Sequence, residues 1–113
     1  MVGKKGGRAS SSRSLARLLN GFCSVSEGET TLLDHTVVLF HNAFGDEIHA
    51  HTNLPFITAG GSALGGNTGP WLDFGGESHN RLSLSLLRAF GAADTCSGDS
   101  QFCAGGPLPG LIR

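Results

Sequence analysis

Glycine occupies 18 of the 113 positions of this chain, and no other feature limits its folding as strongly. Each glycine loses more backbone freedom on folding than any other residue. A chain of this length allows one domain at most, and folding alone would bury only about 60–70% of its unfolded surface. Such a composition suits loops and tight strand ends better than a self-sufficient helical bundle.

Charge narrows the partners. The formal net charge is −1, with 8 basic against 9 acidic residues, so no global field attracts nucleic acid or an anionic membrane. The expectation is therefore no nucleic-acid partner. Lys4, Lys5, Arg8, Arg13 and Arg17 all precede the first acidic residue, Glu27. Residues 1–14 are expected to form a disordered basic leader, the alternative being a transit-type or nucleic-acid-binding arm. The stretch MVGKKGGRASSSRS has no apolar core of the kind a secretory signal carries, and no later run is long enough to span a bilayer. Residues 15–113 are expected to be a partial α/β domain.

Three cysteines, Cys23, Cys96 and Cys103, cannot all pair within one chain. Cys96 and Cys103 lie close together in a Gly/Ser-rich stretch, so a local disulfide suits an exported protein and a pair of free thiols a cytosolic one. No C-x-x-C spacing is present, which argues against a cysteine-based zinc site.

Apolar periodicity supplies the elements. In residues 14–22 (SLARLLNGF), Leu15, Leu18, Leu19 and Phe22 follow the i, i+3, i+4, i+7 spacing of one helical face. SVSEGETT is a polar connector. Val37, Val38, Leu39 and Phe40 form a continuous apolar run, which suits a strand covered on both faces, as in a parallel sheet. After a polar loop, LPFITAGG reads as a second strand ended by Gly60 and Gly61, and residues 71–74 as a brief third extended piece. Ser78 is a good N-cap for NRLSLSLLRAF, where Leu82, Leu86 and Phe90 recur with Leu87 beside them. Arg81, Ser85 and Arg88 are left for the polar side, and Gly91 can close the helix. The tail TCSGDSQFCAGGPLPGLIR is expected to run irregularly over the surface.

Four stretches, TTLLDHTVVLF, HTNLPFITAGG, FGGESHNRLSLSLLRAFG and GPLPGL, in that order, resemble the C-terminal part of the bacterial family called domain of unknown function 1552. The resemblance covers residues 18–111 and matches a fragment of a family member. It implies a full-length protein exported through a twin-arginine signal to the periplasm or cell surface, with the remaining part of that domain as partner. The family in turn is similar to the alkaline-phosphatase and sulfatase superfamily. That likeness implies an α/β fold, a mostly parallel sheet flanked by helices, and His51 as counterpart of a late metal ligand. Where the superfamily places an Asp-His-Gly, this chain has Ala43-Phe44-Gly45. Two ligands are thereby missing, and the two-metal mechanism cannot be assembled from these residues.

A single divalent ion such as zinc is the remaining cofactor expectation. His41, Asp46, Glu47, His49 and His51 fall in one loop, and residues 49 and 51 share a side in extended backbone. The candidate ligands are His51, His49 and Asp46, with hydrogen-bonded loop histidines as the alternative. Asp34-His35 invites a catalytic-dyad reading against that of a pair where a strand begins, since strand neighbours face opposite ways. His79 with Ser78 suits either an anion or simple N-capping. AGGSALGGNTG lacks the Lys-Ser/Thr of a phosphate loop and reads as a flexible crossing. The resulting expectation is a C-terminal fragment of an exported protein with no autonomous activity. The alternatives are a metal-dependent hydrolase of phosphate or sulfate esters and a secreted non-catalytic interaction module.

Overall fold

The computed structural model describes residues 2–42, 48 and 54–113, for 2–10 the backbone alone. Helix α1 spans Val2–Cys23. Strands β1 (Ser26–Glu27) and β2 (Thr30–Thr31) make a minimal antiparallel hairpin. A 3-10 turn over Leu32–His35 leads into β3 (Val37–His41), which pairs antiparallel with β4 (Phe56–Gly60). A second 3-10 turn covers Ser62–Leu64, helix α2 spans His79–Ala89, and a third turn covers Ser100–Phe102.

The nucleus of α1 is the apolar set the sequence marks. Leu15, Leu19 and Phe22 are half-buried, while Leu18 keeps 48% of its surface exposed. The helix continues upstream through the basic stretch, because adding residues to a nucleated helix costs far less than starting one. Helical backbone thus runs from Val2 through the stretch read from the sequence as a basic leader.

The expectation of a mostly parallel, alkaline-phosphatase-like sheet is overturned. The described strands form two separate two-stranded antiparallel sheets. Link length alone does not decide the direction, since residues 42–55 would be long enough for a crossover. The register does, because His41 opposite Phe56 sets the two ends of that link side by side, whereas a parallel neighbour needs the chain carried back along the whole strand, usually by a packed helix. The continuous apolar run of β3 has another explanation. In the observed register Val37, Leu39 and His41 oppose Gly60, Thr58 and Phe56, and Val38 and Phe40 oppose Ala59 and Ile57. Pairs alternate between faces. On one face Phe40 meets Leu15 and Leu18 of α1 around a shallow depression. On the other, Val37, Thr58 and Gly60 meet Leu86 of α2 and Leu111 and Ile112 of the tail around a narrow crevice. Both faces of the ribbon thus border apolar groups without any parallel neighbour, although Ile57 on the Phe40 face keeps 51% of its surface exposed. Residues 71–74, expected to be extended, join no strand.

Helix α2 is capped as its sequence predicts. Ser78 Oγ accepts from the Asn80 amide at 3.2 Å. At the other end the amides of Gly91 and Ala92 bond to the carbonyls of Arg88 and Leu87 at 3.0 and 3.1 Å, a double bond pattern that closes the last turn. Gly91 accepts φ 85° there, the left-handed conformation in which a side chain is strained.

The covered side of α2 is not the expected one. Leu84, absent from the anticipated apolar set, is fully buried, and Ser85, assigned to the polar side, is 1% exposed. Phe90 instead keeps 59% of its surface in solvent. The tail folds back across the Arg81–Leu84–Ser85 side and contributes Cys103 and Leu108 to the core with Leu82 and Leu84. Full burial of one leucine is worth about 1.5–3 kcal/mol. The tail is irregular, as expected, but it forms half of the core rather than a surface run.

Gly60 sits where the hairpin ends. Its φ is 82°, and a Cβ there would lie against the Thr36 carbonyl and 2.7 Å from the Leu33 carbonyl. Gly60→Ala should therefore destabilise the chain by roughly 2 kcal/mol or more, through a positive-φ cost plus a backbone clash. Gly21→Ala, with nothing within 4 Å of the added methyl, should stabilise α1 by up to about 1 kcal/mol. Urea midpoints of the two variants against the parent check both signs.

Candidate functional site

The polar side chains singled out by the sequence around β3 lie at the two ends of the β3–β4 hairpin. At the closed end, the 3-10 turn over Leu32–His35 places Asp34 three residues after Thr31. Asp34 Oδ2 accepts from the Thr31 amide at 2.7 Å and from Thr31 Oγ1 at 2.9 Å. This is the reciprocal arrangement that caps a short helix start. Ser62 Oγ, 28 residues further on, donates to Asp34 Oδ1. The Gly61 amide bonds to the Leu33 carbonyl at 3.0 Å, so the end of β4 is tied to the start of β3 by backbone and side chain together.

Three donors on one carboxylate favour its charged form. The Ser62 hydroxyl first, then the Thr31 amide and hydroxyl, hold the Asp34 carboxyl below its ordinary value. The nearby His35 adds to this shift.

His35 does not orient toward Asp34 as a dyad would require. Its Nε2 lies 2.8 Å from Thr30 Oγ1, and that hydroxyl donates to the Glu27 carbonyl at 3.0 Å. With the hydroxyl proton committed, Nε2 must carry the proton and donate. His35 thus pins the β1–β2 turn, and Asp34 pins the hairpin end. The strand beginning assumed for both residues is a 3-10 turn. Chemically the cluster is a staple: both Asp34 oxygens are engaged by chain groups, so neither serves as a general base.

The open end begins at His41, exposed at the end of β3. Its ring stacks on Phe56, its register partner, with centroids 5.1 Å apart. Nδ1 lies 3.2 Å from the Asn42 carbonyl and donates to it, which leaves Nε2 with the lone pair. That is the tautomer a metal-binding histidine uses. The expected ligands His51, His49 and Asp46, together with Glu47, Ala43 and Phe44, lie outside the described residues. Among the described residues no three His, Cys, Asp or Glu side chains converge as a metal group would need.

His79 opens α2 in the exposed first turn, and Ser78 acts there as the N-cap. The Gly-rich segment after β4 is ordered: the Gly66 amide bonds back to the Gly61 carbonyl at 2.9 Å, and the Asn67 and Arg113 amides bond to Leu111 and Gly65 at 2.9 and 2.8 Å. It fastens the chain's last residues beside the hairpin.

Sequence reasoning missed Ser62 and Arg81. Ser62 carried no signal, because its partner is 28 residues away. Arg81 offered a partial one in Glu77, four residues earlier on the helix, and the two do pair at 2.8 Å. Its main partners were invisible: Nε donates to the Gly106 carbonyl at 2.8 Å, and Nη2 to those of Gly105 and Pro107 at 3.0 and 3.4 Å.

Comparisons of the chain with protein-family models, curated proteins and solved structures find no match. No helix among the described residues is long and apolar enough to cross a membrane.

One outcome follows from this geometry and a second from the resemblance. Because the folded Asp34 carboxyl titrates below the ordinary value of about 3.9, its contribution is present above that pH and is lost as pH falls through the folded value. Carbon-detected titration should place Asp34 low in the parent and closer to the ordinary value in Ser62→Ala. For the metal, at most one ion per chain is expected. If His51 is the metal ligand that the resemblance implies, His51→Ala in a full-length homologous context should lower metal content measured by elemental analysis, whereas His35→Ala, whose ring holds Thr30, should leave it unchanged.

Proposed function

We propose that this chain is a non-catalytic segment of a larger exported protein, corresponding to the C-terminal part of the domain of unknown function 1552 family, and that it works only with the rest of that protein. The observation that carries this reading is the balance between core and surface. Among the described residues the buried apolar side chains are Leu82, Leu84, Cys103 and Leu108. Against them stand Trp71 at 89% exposure, Phe102 at 56% and Ile57 at 51%. Single exposed apolar residues are ordinary, but apolar surface on this scale over so small a core marks faces that another body covers.

The hairpin supports the same reading. β3 and β4 have no further strand neighbour among the described residues, and an isolated two-stranded sheet is marginal in water. Among the described residues, those that could act chemically are either engaged as staples, as Asp34 and Ser62 are, or without a second such group beside them, as His41 is. The reading assigns the chain no substrate of its own and takes the remaining part of the full-length domain as its partner.

Trp71 is the sole tryptophan, so its emission reports one site. The purified chain should show the red-shifted emission of a water-exposed indole, bind an apolar dye and melt over a broad range. It should turn over no phosphate or sulfate ester. Mixed with the remaining part of a full-length family member, it should form a one-to-one complex in which Trp71 emission shifts to the blue. Sharp cooperative melting of the isolated chain, with no complex and no shift, would refute the proposal.

A further inference from the structure

The tail that completes the core is held by two kinds of bond, and only one of them is covalent. Cys96 and Cys103 form a disulfide with Cα atoms 5.4 Å apart, which closes a short loop around the Ser100–Phe102 turn, and Cys23 is free and exposed. Directly beyond Cys103, Arg81 grips the carbonyls of Gly105, Gly106 and Pro107, and the Leu108 amide donates to the buried Ser85 Oγ at 2.8 Å. Gly98 lies against the Asn80 side chain, where a Cβ would approach Nδ2 to 2.8 Å, so the closed loop is seated on the start of α2. The two sulfurs differ in access: Cys103 is 7% exposed, and Cys96 is half-exposed.

We propose that the Cys96–Cys103 disulfide is a redox latch, and that reduction by a dithiol releases the tail from α2 while the β3–β4 hairpin stays formed. A thiolate of the reductant attacks Sγ of Cys96, the accessible sulfur. The Sγ–Sγ bond breaks, and Cys103 leaves as a thiolate that takes up a proton. The second thiol of the reductant then displaces Cys96 from the mixed disulfide. The protein gains two electrons and two protons as two thiols, and the reductant departs as its own disulfide.

The latch controls residues 96–108 because, once it is open, the Arg81 and Ser85 bonds must hold that stretch against the full entropy of an open chain, while residues 110–113 keep their own ties to Gly65 and Asn67. Gly98, Gly105 and Gly106 all lie in this stretch, so the released tail regains unusually large backbone freedom. The Gly105 and Pro107 carbonyls held by Arg81 Nη2 are near solvent and can exchange that partner for water. The closed loop removes that freedom in advance, and on opening the tail uncovers Leu82, Leu84 and Ser85. The hairpin end has its own ties, the Asp34 staple and the Gly61 amide on Leu33, which do not involve the tail.

Amide hydrogen exchange on the full chain, with and without dithiothreitol, tests the latch. Reduction should speed exchange of the Leu108 amide by on the order of 10- to 100-fold, the size expected for opening a short closed loop. The Gly61 amide should change by no more than about twofold, because its bond belongs to a separate unit. Cys96→Ser should reproduce the fast Leu108 exchange without reductant and show no further response to it, whereas Cys23→Ser should behave as the parent. Unchanged Leu108 protection on reduction would overturn the proposal. So would parallel loss at Gly61, in the reduced parent or in Cys96→Ser, since the disulfide would then support the whole fold rather than gate one segment.

Discussion

The bond of Ser85 Oγ to the Leu108 amide, together with the hold of Arg81 on three successive tail carbonyls, is the constraint on which the core depends. A tail without a regular ladder still carries a donor and an acceptor at nearly every residue, and burying it without partners costs about as much as losing each bond. Ser85 meets this demand with one atom, accepting from Leu108 while donating to the Arg81 carbonyl at 2.8 Å. Arg81, 13% exposed at its side chain, has its charge met by Glu77 and its donors by the tail. Only with those groups satisfied can Leu108 and Cys103 close over Leu84. No buried side-chain nitrogen or oxygen among the described residues lacks a partner, so this polar seam is complete.

The same seam explains what the sequence concealed. Amphipathic periodicity assumes that the polar side of a helix meets water and the apolar side meets protein. Helix α2 departs from this because its covering element is irregular and needs hydrogen bonds as well as apolar contact. Local signals were legible: the Ser78 cap, the Gly91 closure, the apolar runs of β3 and β4, and the Cys96–Cys103 pairing all follow from neighbours in the chain. The direction of strand pairing and the choice of covered helix side depend on segments far apart in sequence. A continuous apolar run suits a strand that meets protein on both faces, and here α1 borders one face and α2 with the tail the other, which made a hairpin look like a parallel strand.

The candidate site divides along the same line. Asp34 as a cap to Thr31 could be read from their spacing, but its bond to Ser62 could not, and that bond is the first cause of its lowered pKa. Adjacency suggested a dyad of Asp34 with His35. In the 3-10 turn the two side chains serve different partners, one at the hairpin end and one at the β1–β2 turn. Sequence neighbours are a poor guide to function where each can find its own backbone group to hold.

The two ends of the hairpin therefore carry different kinds of polar group. At the closed end every hydrogen-bonding atom of Asp34 is matched by a donor from the chain, and Gly60 brings backbone so close that no side chain would fit. Such an end is rigid and chemically spent. At the other end His41 keeps its Nδ1 proton on a neighbouring carbonyl and its ring flat against Phe56, so its orientation is set while Nε2 retains a lone pair. An oriented imidazole whose Nε2 meets no partner among the described residues suits binding a cation or accepting a proton. A fixed end and an available end on one short ribbon suit a segment that is braced by its own fold on one side and completed by other residues on the other.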